Sequence, residues 1–211
     1  MIKVYFSSYS KKLSHSAFSA YLNLLPPALE QQIMRFKKWE DQHAGLYGKL
    51  LLIKSLREAG LSTDLLQLKY TGYGRPYLTN TPDFNISHSG CFAVCALSFQ
   101  GKIGVDIEEM KPVSISDFRE VFSAAEWNKI INSENSSYWF YHYWTAKEAV
   151  IKADGGGLSL PLKYINIDNN KTKTGKKCWF IKNIAIHNNY MLHIATNKAI
   201  DKEIELLEVY F

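Results

Sequence analysis

The sequence predicts an α+β fold. Two observations carry this. Helical and strand-like stretches are mixed without regular βαβ alternation, and the chain from Tyr164 to Phe211 is mostly β-like. Ile2, Val4 and Phe6 alternate in MIKVYFSSYSKKL, which reads as a first strand and lacks the apolar core of a secretory signal. Residues 27–59 read as helical. Leu29, Ile33 and Phe36 fall at helix spacing, and LYGKLLLIKSLREAG carries the apolar stripe to a stop at Gly60. The link TGYGRP, Thr71 to Pro76, is turn-rich. The runs DFNISHS, CFAVCALSF and KIGVDIEE then read as strands broken at Gly90 and Gly101, and the last two are expected to form a hairpin around Gln100-Gly101. Residues 115–131 and 137–153 predict helices, the second stopped by Gly155-Gly156-Gly157. YINI, CWFIKNIAI, YMLHIAT and EIELLEVYF complete the strands. An internal boundary is expected near residues 100–112.

A chain of 211 residues fits one large domain or two small ones packed together. With 46% hydrophobic and 21% charged residues it can bury a core as a soluble protein, and 14% aromatics exclude disorder. No apolar run approaches the roughly 18–20 residues that span a membrane. Cys91, Cys95 and Cys178 are odd in number and lie in apolar segments, so they read as free thiols in a reducing compartment, the cytoplasm. They offer no second ligand pair at zinc spacing. The net charge of +5 suits polyanionic ligands or acidic protein partners and does not point to nucleic acid. Lys171, Lys173, Lys176 and Lys177 around Gly175 read as a solvated hairpin tip.

Three clusters carry candidate chemistry. In IGVDIE, strand alternation puts Ile103, Val105 and Ile107 on one face and Asp106 and Glu108 on the other, about 6–7 Å apart. Such a pair can hold one hard divalent cation and leave room for water and phosphate oxygens. It also reads as an amphipathic strand with solvated acids. In WTAKEAVIK, Trp144, Glu148 and Lys152 share a helix face. A third carboxylate and a cation serve phosphoryl chemistry, although a Glu–Lys pair also simply stabilises a helix surface. In NISHSG, Ser87, His88 and Gly90 at a strand end offer hydrogen bonds to phosphate, or form a polar turn. A serine hydrolase reading fails, because adjacent Ser87 and His88 point apart on a strand and G-x-S-x-G is absent. G-x-x-x-x-G-K-[ST] is absent too, and the glycines at 155–157 follow a helix instead of preceding one.

Taken together and in order, these clusters resemble the 4′-phosphopantetheinyl transferases of the larger, surfactin-synthetase-activating (Sfp) type. The matching stretches are GRPYL at 74–78, FNISHSG at 84–90, GVDIE at 104–108, FSAAEW at 122–127 and WTAKEAVIKADGGGLSLPL at 144–162. The resemblance implies two similar α+β halves, residues 1–104 and 105–211, related by a pseudo-twofold with coenzyme A in the cleft between them. It implies transfer of the 4′-phosphopantetheine arm to a serine hydroxyl of an apo carrier protein, with release of adenosine 3′,5′-bisphosphate. The carrier would be an acidic helical bundle of fatty-acid, polyketide or nonribosomal peptide synthesis, and the enzyme a monomer. An alternative on the same fold is a catalytically silent carrier-binding module.

Residue by residue, the resemblance makes Asp106, Glu108 and Glu148 the magnesium ligands, and Lys152 the residue that meets the phosphate. Glu148 or Glu126 is the candidate general base, with Lys147 nearby. Ser87 and His88 resemble contacts to the coenzyme A phosphates. Tyr73, Gly74, Arg75 and Pro76 lie beside the nucleotide, Arg75 as a basic position. The chain departs from the family at Ala44, where members often carry an arginine for the 3′-phosphate, and at Leu29 and Gln32, where some carry lysines. Lys49, or Lys37 and Lys38, are the expected replacements. Val113, Ile115, Phe118 and Phe122 are expected either to offer an apolar docking strip for the carrier or to be core.

Overall fold

The computed structural model describes residues 1–157, 160–201 and 203–211. The elements run β1 (Ile2–Ser8), α1 (His15–Leu22), α2 (Pro27–Met34), α3 (Trp39–Glu58), β2 (Lys69–Tyr70), β3 (Pro76–Tyr77), β4 (Asp83–Ser89), β5 (Phe92–Ser98), β6 (Ile103–Glu109), α4 (Ala124–Ile131), α5 (Ser136–Asp154), β7 (Lys171–Thr174), β8 (Lys177–Asn183), β9 (Tyr190–Thr196) and β10 (Ile204–Glu208). The fold is α+β, as the sequence predicts. One sheet has the order β10-β1-β5-β4 and a second the order β6-β9-β8-β7.

Alternation along each strand serves two cores at once. Tyr5, Cys95 and Leu97 of the first sheet pack with Leu46, Leu50 and Ile53 of α3. Val4, Phe6, Val94 and Ala96 on its other face meet Ile103, Val105, Ile107, Leu192 and Ile194 of the second sheet. The outer face of that sheet, with Trp179, Ile181 and Ala195, is covered by Ala146, Ala149 and Val150 of α5. The layers are therefore helix, sheet, sheet, helix.

The two sheets are joined at one margin by side chains. Asp83, Asn85, Ser87 and Ser89 of β4 accept from the backbone N–H groups of Ile103, Val105, Ile107 and Glu109, at 2.8, 2.9, 3.3 and 3.1 Å. The alternate polar residues of β4 satisfy donors of β6 that would otherwise face a buried seam unpaired. On the other side, α5 lies directly on β6. A Cβ at Gly104 would run into the Ala149 carbonyl and the Ala153 backbone, so only glycine permits this approach. Gly155 ends α5 in the left-handed region at φ 77°, the expected helix stop.

Several local expectations are corrected. Residues 27–59 form two helices separated at 35–38, and α1, capped by the Ser14 side chain, precedes them unforeseen. β5 and β6 do not form a hairpin. β5 pairs with β1 and β4, β6 pairs with β9, and the Gly101 turn is tied across by Lys102 N–H to Asn197 Oδ1 at 2.8 Å. The hairpin of this region is β4–β5 around Gly90. Residues 115–131 split into a 3-10 stretch at Ile115–Val121 and α4, because Ser123 and Glu126 form a capping box that starts a new helix. YINI contributes no strand. It follows a 3-10 turn at Leu162–Tyr164, and Ile165 is buried under α5. β10 pairs in parallel with β1, so the first sheet takes its outer strand from the end of the chain, and position 104/105 lies inside β6. Gly175 does turn a β7–β8 hairpin edged with lysines.

Candidate active site

β6 carries the first functional groups. Ile103, Val105 and Ile107 are fully buried between the sheets, which turns Gly104, Asp106 and Glu108 toward α5. Asp106 is itself only 3% exposed. Lys152, in the last turn of α5, reaches it: Nζ lies 2.5 Å from Asp106 Oδ1 and donates to Ser87 Oγ at 2.9 Å. Ser87 Oγ donates in turn to the same Asp106 oxygen at 3.2 Å and accepts from Ile107 N–H. Glu108 accepts from Ser89 Oγ at 2.7 Å. Three expected residues, Ser87, Asp106 and Lys152, are thus brought into one network from β4, β6 and α5.

Burial pushes the Asp106 carboxyl above its ordinary value, against the pull of Lys152 and Ser87. Burial also raises Glu108, and the Asp106 charge adds to it while Ser89 opposes. Glu148 is raised by burial and then by the charges of Asp106 and Glu108, with Lys152 opposing. The three carboxyls therefore sense one another across the β6–α5 interface. Asp106 Oδ2 is buried and has no hydrogen-bond partner among the described residues. An orphaned buried oxygen beside two further carboxylates fits a hard divalent cation, which prefers oxygen donors. Among the described residues no three His, Cys, Asp or Glu side chains converge as a ready-made metal cage. Here the Lys152 ammonium neutralises Asp106.

Beside this network lies a cleft of about 230 Å³ lined by Tyr73 to Pro76, Asn85, Ile86, Ile151, Lys152, Gly155 and Gly157. The turn 73–76 is held in place by the β2–β3 pair, with Thr71 N–H on the Arg75 carbonyl and Gly74 N–H on the Thr71 carbonyl. The cleft brings the four expected nucleotide-side residues against Lys152. Leu158 and Ser159 of the 144–162 motif lie outside the described residues. His88 is exposed on the opposite face of β4 from Ser87, and the surrounding protein, with Lys152 and Lys49, holds its imidazole below the ordinary value. Lys49, on α3, is half-buried and lowered by that burial. Lys49 and Lys152 thus lie close enough to His88 for their charges to disfavour its protonation.

Other expected residues go elsewhere. The Arg75 guanidinium is 9% exposed and committed to protein: it forks onto Asp83 at 3.0 and 2.6 Å and donates to the carbonyls of Lys152, Phe84 and Ile103. Every hydrogen bond of this side chain thus goes to a protein group, and Arg75 also lines the cleft. Glu126 is 3% exposed, pairs with the fully buried Lys147 at 2.7 Å, and accepts from Ser123 and Ile167 N–H. Both carboxylate oxygens are occupied in capping α4 and anchoring the 162–167 segment, since Lys147 Nζ also donates to the Leu162 carbonyl. The structure thus places Glu126 and Lys147 in a separate structural knot. Ala44 is 4% exposed inside the α3 core, so an arginine there would displace apolar packing. Phe122 is core, and Val113, Ile115 and Phe118 are half-buried against it.

Sequence reasoning placed Asn85 and Ser89 in the NISHSG cluster but missed that they, with Asp83, hold β6 and, through Ser89, Glu108. Their signal was the alternation D-x-N-x-S-x-S, a polar face too regular for a turn. It also missed S-A-A-E as a capping-box signature.

Fold and site together give an α+β protein of two packed sheets backed by helices, with a cleft beside a lysine and three mutually sensing carboxyls, and the comparisons place it among the transferases. The profile of the 4′-phosphopantetheinyl transferase superfamily matches residues 102–199, and that of the 4′-phosphopantetheinyl transferase N-terminal region matches 12–100. The 4′-phosphopantetheinyl transferase Sfp of Bacillus subtilis (strain 168) is 33% identical over 171 residues, 79% of this chain and 76% of the relative. The 4′-phosphopantetheinyl transferase gsp of Aneurinibacillus migulanus is 30% identical over 179 residues, 82% and 74% of the two chains. The L-aminoadipate-semialdehyde dehydrogenase-phosphopantetheinyl transferase of Xenopus laevis is 32% identical, covering 67% of this chain and 53% of that one. The chain belongs to the Sfp-type 4′-phosphopantetheinyl transferases.

Proposed function

We propose that this enzyme transfers the 4′-phosphopantetheine moiety of coenzyme A to a serine hydroxyl of an apo carrier protein, releasing adenosine 3′,5′-bisphosphate. The observation that carries the reading is the junction of Lys152, Asp106 and Ser87 beside the cleft walled by Tyr73 to Pro76. The relatives bear transferase names, and the catalytically silent module is set aside.

In this reading the pantetheine-side phosphorus of the pyrophosphate sits above Lys152. The carrier serine oxygen forms a bond to it, and the bond to the bridging pyrophosphate oxygen breaks. Glu148 takes the serine proton; its burial beside Asp106 and Glu108 makes it a stronger base than a free carboxylate. Lys152 offsets the negative charge on the departing bisphosphate. Ser87, His88 and Lys49 hold the phosphates, and the backbone of residues 73–76 holds the nucleotide. Asp106, Glu108 and Glu148 would hold a magnesium ion, which when bound supplies charge stabilisation at the pyrophosphate. Glu126 as base loses support, since both its oxygens serve Lys147 and backbone N–H groups.

The net charge of +5 favours an acidic carrier, and a nonribosomal peptide carrier is favoured by the likeness to Sfp and gsp. Free Cys91, Cys95 and Cys178 suit a reducing compartment, so the cytoplasm is proposed. No helix among the described residues is long and apolar enough to cross a membrane. A monomer of two halves near 1–104 and 105–211 related by a pseudo-twofold is proposed; residues of both line the cleft, and β10 is lent to the first.

The test is intact mass of an apo carrier incubated with the protein, coenzyme A and magnesium. A gain of one phosphopantetheine that disappears with Asp106→Ala, and with a chelator, supports the reading. No gain across several carriers despite measured coenzyme A binding overturns it.

A further inference from the structure

The Arg75 side chain makes five hydrogen bonds beside the cleft, all of them to protein groups. Nε donates to the Lys152 carbonyl at 2.9 Å, and Nη2 donates to the Ile103 carbonyl at 2.8 Å. The fork onto Asp83 fixes the plane of the guanidinium. Asp83 Oδ2 also accepts from Ile103 N–H, and Lys102 Nζ holds Oδ1 from outside. Burial would push the Asp83 carboxyl up, but Arg75 and these neighbours hold it below its ordinary value. One planar cation therefore ties the C-terminal turn of α5, the start of β4 and the start of β6. These elements carry Lys152, Ser87 and Asp106 respectively. Arg75 is at the same time part of the cleft wall.

We propose that Arg75 is a positioning residue for transfer: it sets the height of Lys152 over Asp106 and locks that pair to the cleft wall, without touching coenzyme A through its side chain. This rests on the transferase reading above. A lysine cannot replace it, because a single ammonium cannot keep the planar fork on Asp83 and the bond to the Lys152 carbonyl together. Asp83 lies behind Arg75, outside the cleft lining, so loosening it disturbs the brace without altering the cleft surface.

The experiment compares wild type, Arg75→Lys and Asp83→Asn, each confirmed folded by circular dichroism. Transfer is measured with coenzyme A and with 3′-dephospho-coenzyme A. The expected result is a fall in kcat of about tenfold to a hundredfold, as for a misplaced reacting group. It should affect both substrates equally, with KM nearly unchanged, and Asp83→Asn should follow Arg75→Lys. The double variant should be no worse than either single one, because both break the same brace. A loss confined to coenzyme A, or an unaffected Asp83→Asn, would make Arg75 a ligand contact and overturn the proposal. A slowly exchanging ζ-ammonium NMR signal is expected for Lys152 in the wild type, held by Ser87 and Asp106, and reads the brace without turnover. Its persistence in Arg75→Lys overturns the proposal, whereas an inactive wild type with a brace-dependent signal sinks only the transferase reading.

Discussion

Lys152 Nζ and Asp106 Oδ1 lie 2.5 Å apart across the β6–α5 interface, with the aspartate 4% exposed at its side chain and the lysine 29%. The pair is buried on one side and open to the cleft on the other, so the lysine can serve both the carboxylate and an incoming phosphate. Lys152→Met should abolish detectable transfer and lower stability by about 3 kcal/mol, because it strands a buried carboxylate. Adding Asp106→Asn should restore most of the stability and none of the activity. Thermal melts of the four proteins check this, and additive losses would mean that the two side chains are not coupled.

Glu148→Gln should reduce transfer by at least about a hundredfold, the usual scale for a lost base, while keeping the fold. Its melting temperature should be equal to or above that of wild type, since the change relieves repulsion from Asp106 and Glu108. Normal turnover by this variant would remove Glu148 from the site.

Glu126→Gln should behave in the opposite way. It leaves the fully buried Lys147 without its counter-charge and should cost about 3–5 kcal/mol. Where the protein stays folded at low temperature, single-turnover transfer should remain far above that of Glu148→Gln. Equal kinetic loss in both would return Glu126 to the role of base.

Gly104→Ala should lift α5 from β6, because the added methyl meets the Ala149 carbonyl and the Ala153 backbone. We expect a loss of about 1–3 kcal/mol from overpacking, together with a fall in kcat as Lys152 moves from Asp106. Unchanged kcat in the folded variant would show that the helix position tolerates the shift.

The raised carboxyls give a pH signature. Folded Asp106, Glu108 and Glu148 titrate above their ordinary values of 3.8, 4.5 and 4.5. Between those values and the raised ones the folded chain holds protons that the unfolded chain has lost, so stability falls as pH rises through that window. Asp106→Asn/Glu148→Gln should therefore melt higher than wild type at neutral pH, with the gap closing at about pH 4. Activity should move the other way, falling as these groups take up protons. A stability gap independent of pH would contradict the raised values.

Much of this was legible in the residues. Alternation in IGVDIE placed Ile103, Val105 and Ile107 inward and Asp106 with Glu108 on the other face, because strand geometry is local. The i, i+4 spacing put Glu148 and Lys152 on one helix face for the same reason. The strands over 83–89 and 190–196, the Gly155 stop and the lysine-edged hairpin at Gly175 also depend only on neighbours in sequence.

What the sequence by itself determined about this protein is the residue chemistry of the site, the periodicity of each element and, through ordered motifs, the family. Only the tertiary structure decided which strand pairs with which, so that β5 turns away from β6 to join β1 and β4. It alone decided which charges are free to act. Arg75 and Glu126 carry motif positions but are occupied by Asp83 and Lys147, whereas Asp106 keeps an oxygen without a partner among the described residues. The reason is physical. A side chain's reactivity depends on what remains after its hydrogen bonds and burial are satisfied, and those partners lie distant in sequence, brought near only by the packing of two sheets and two long helices.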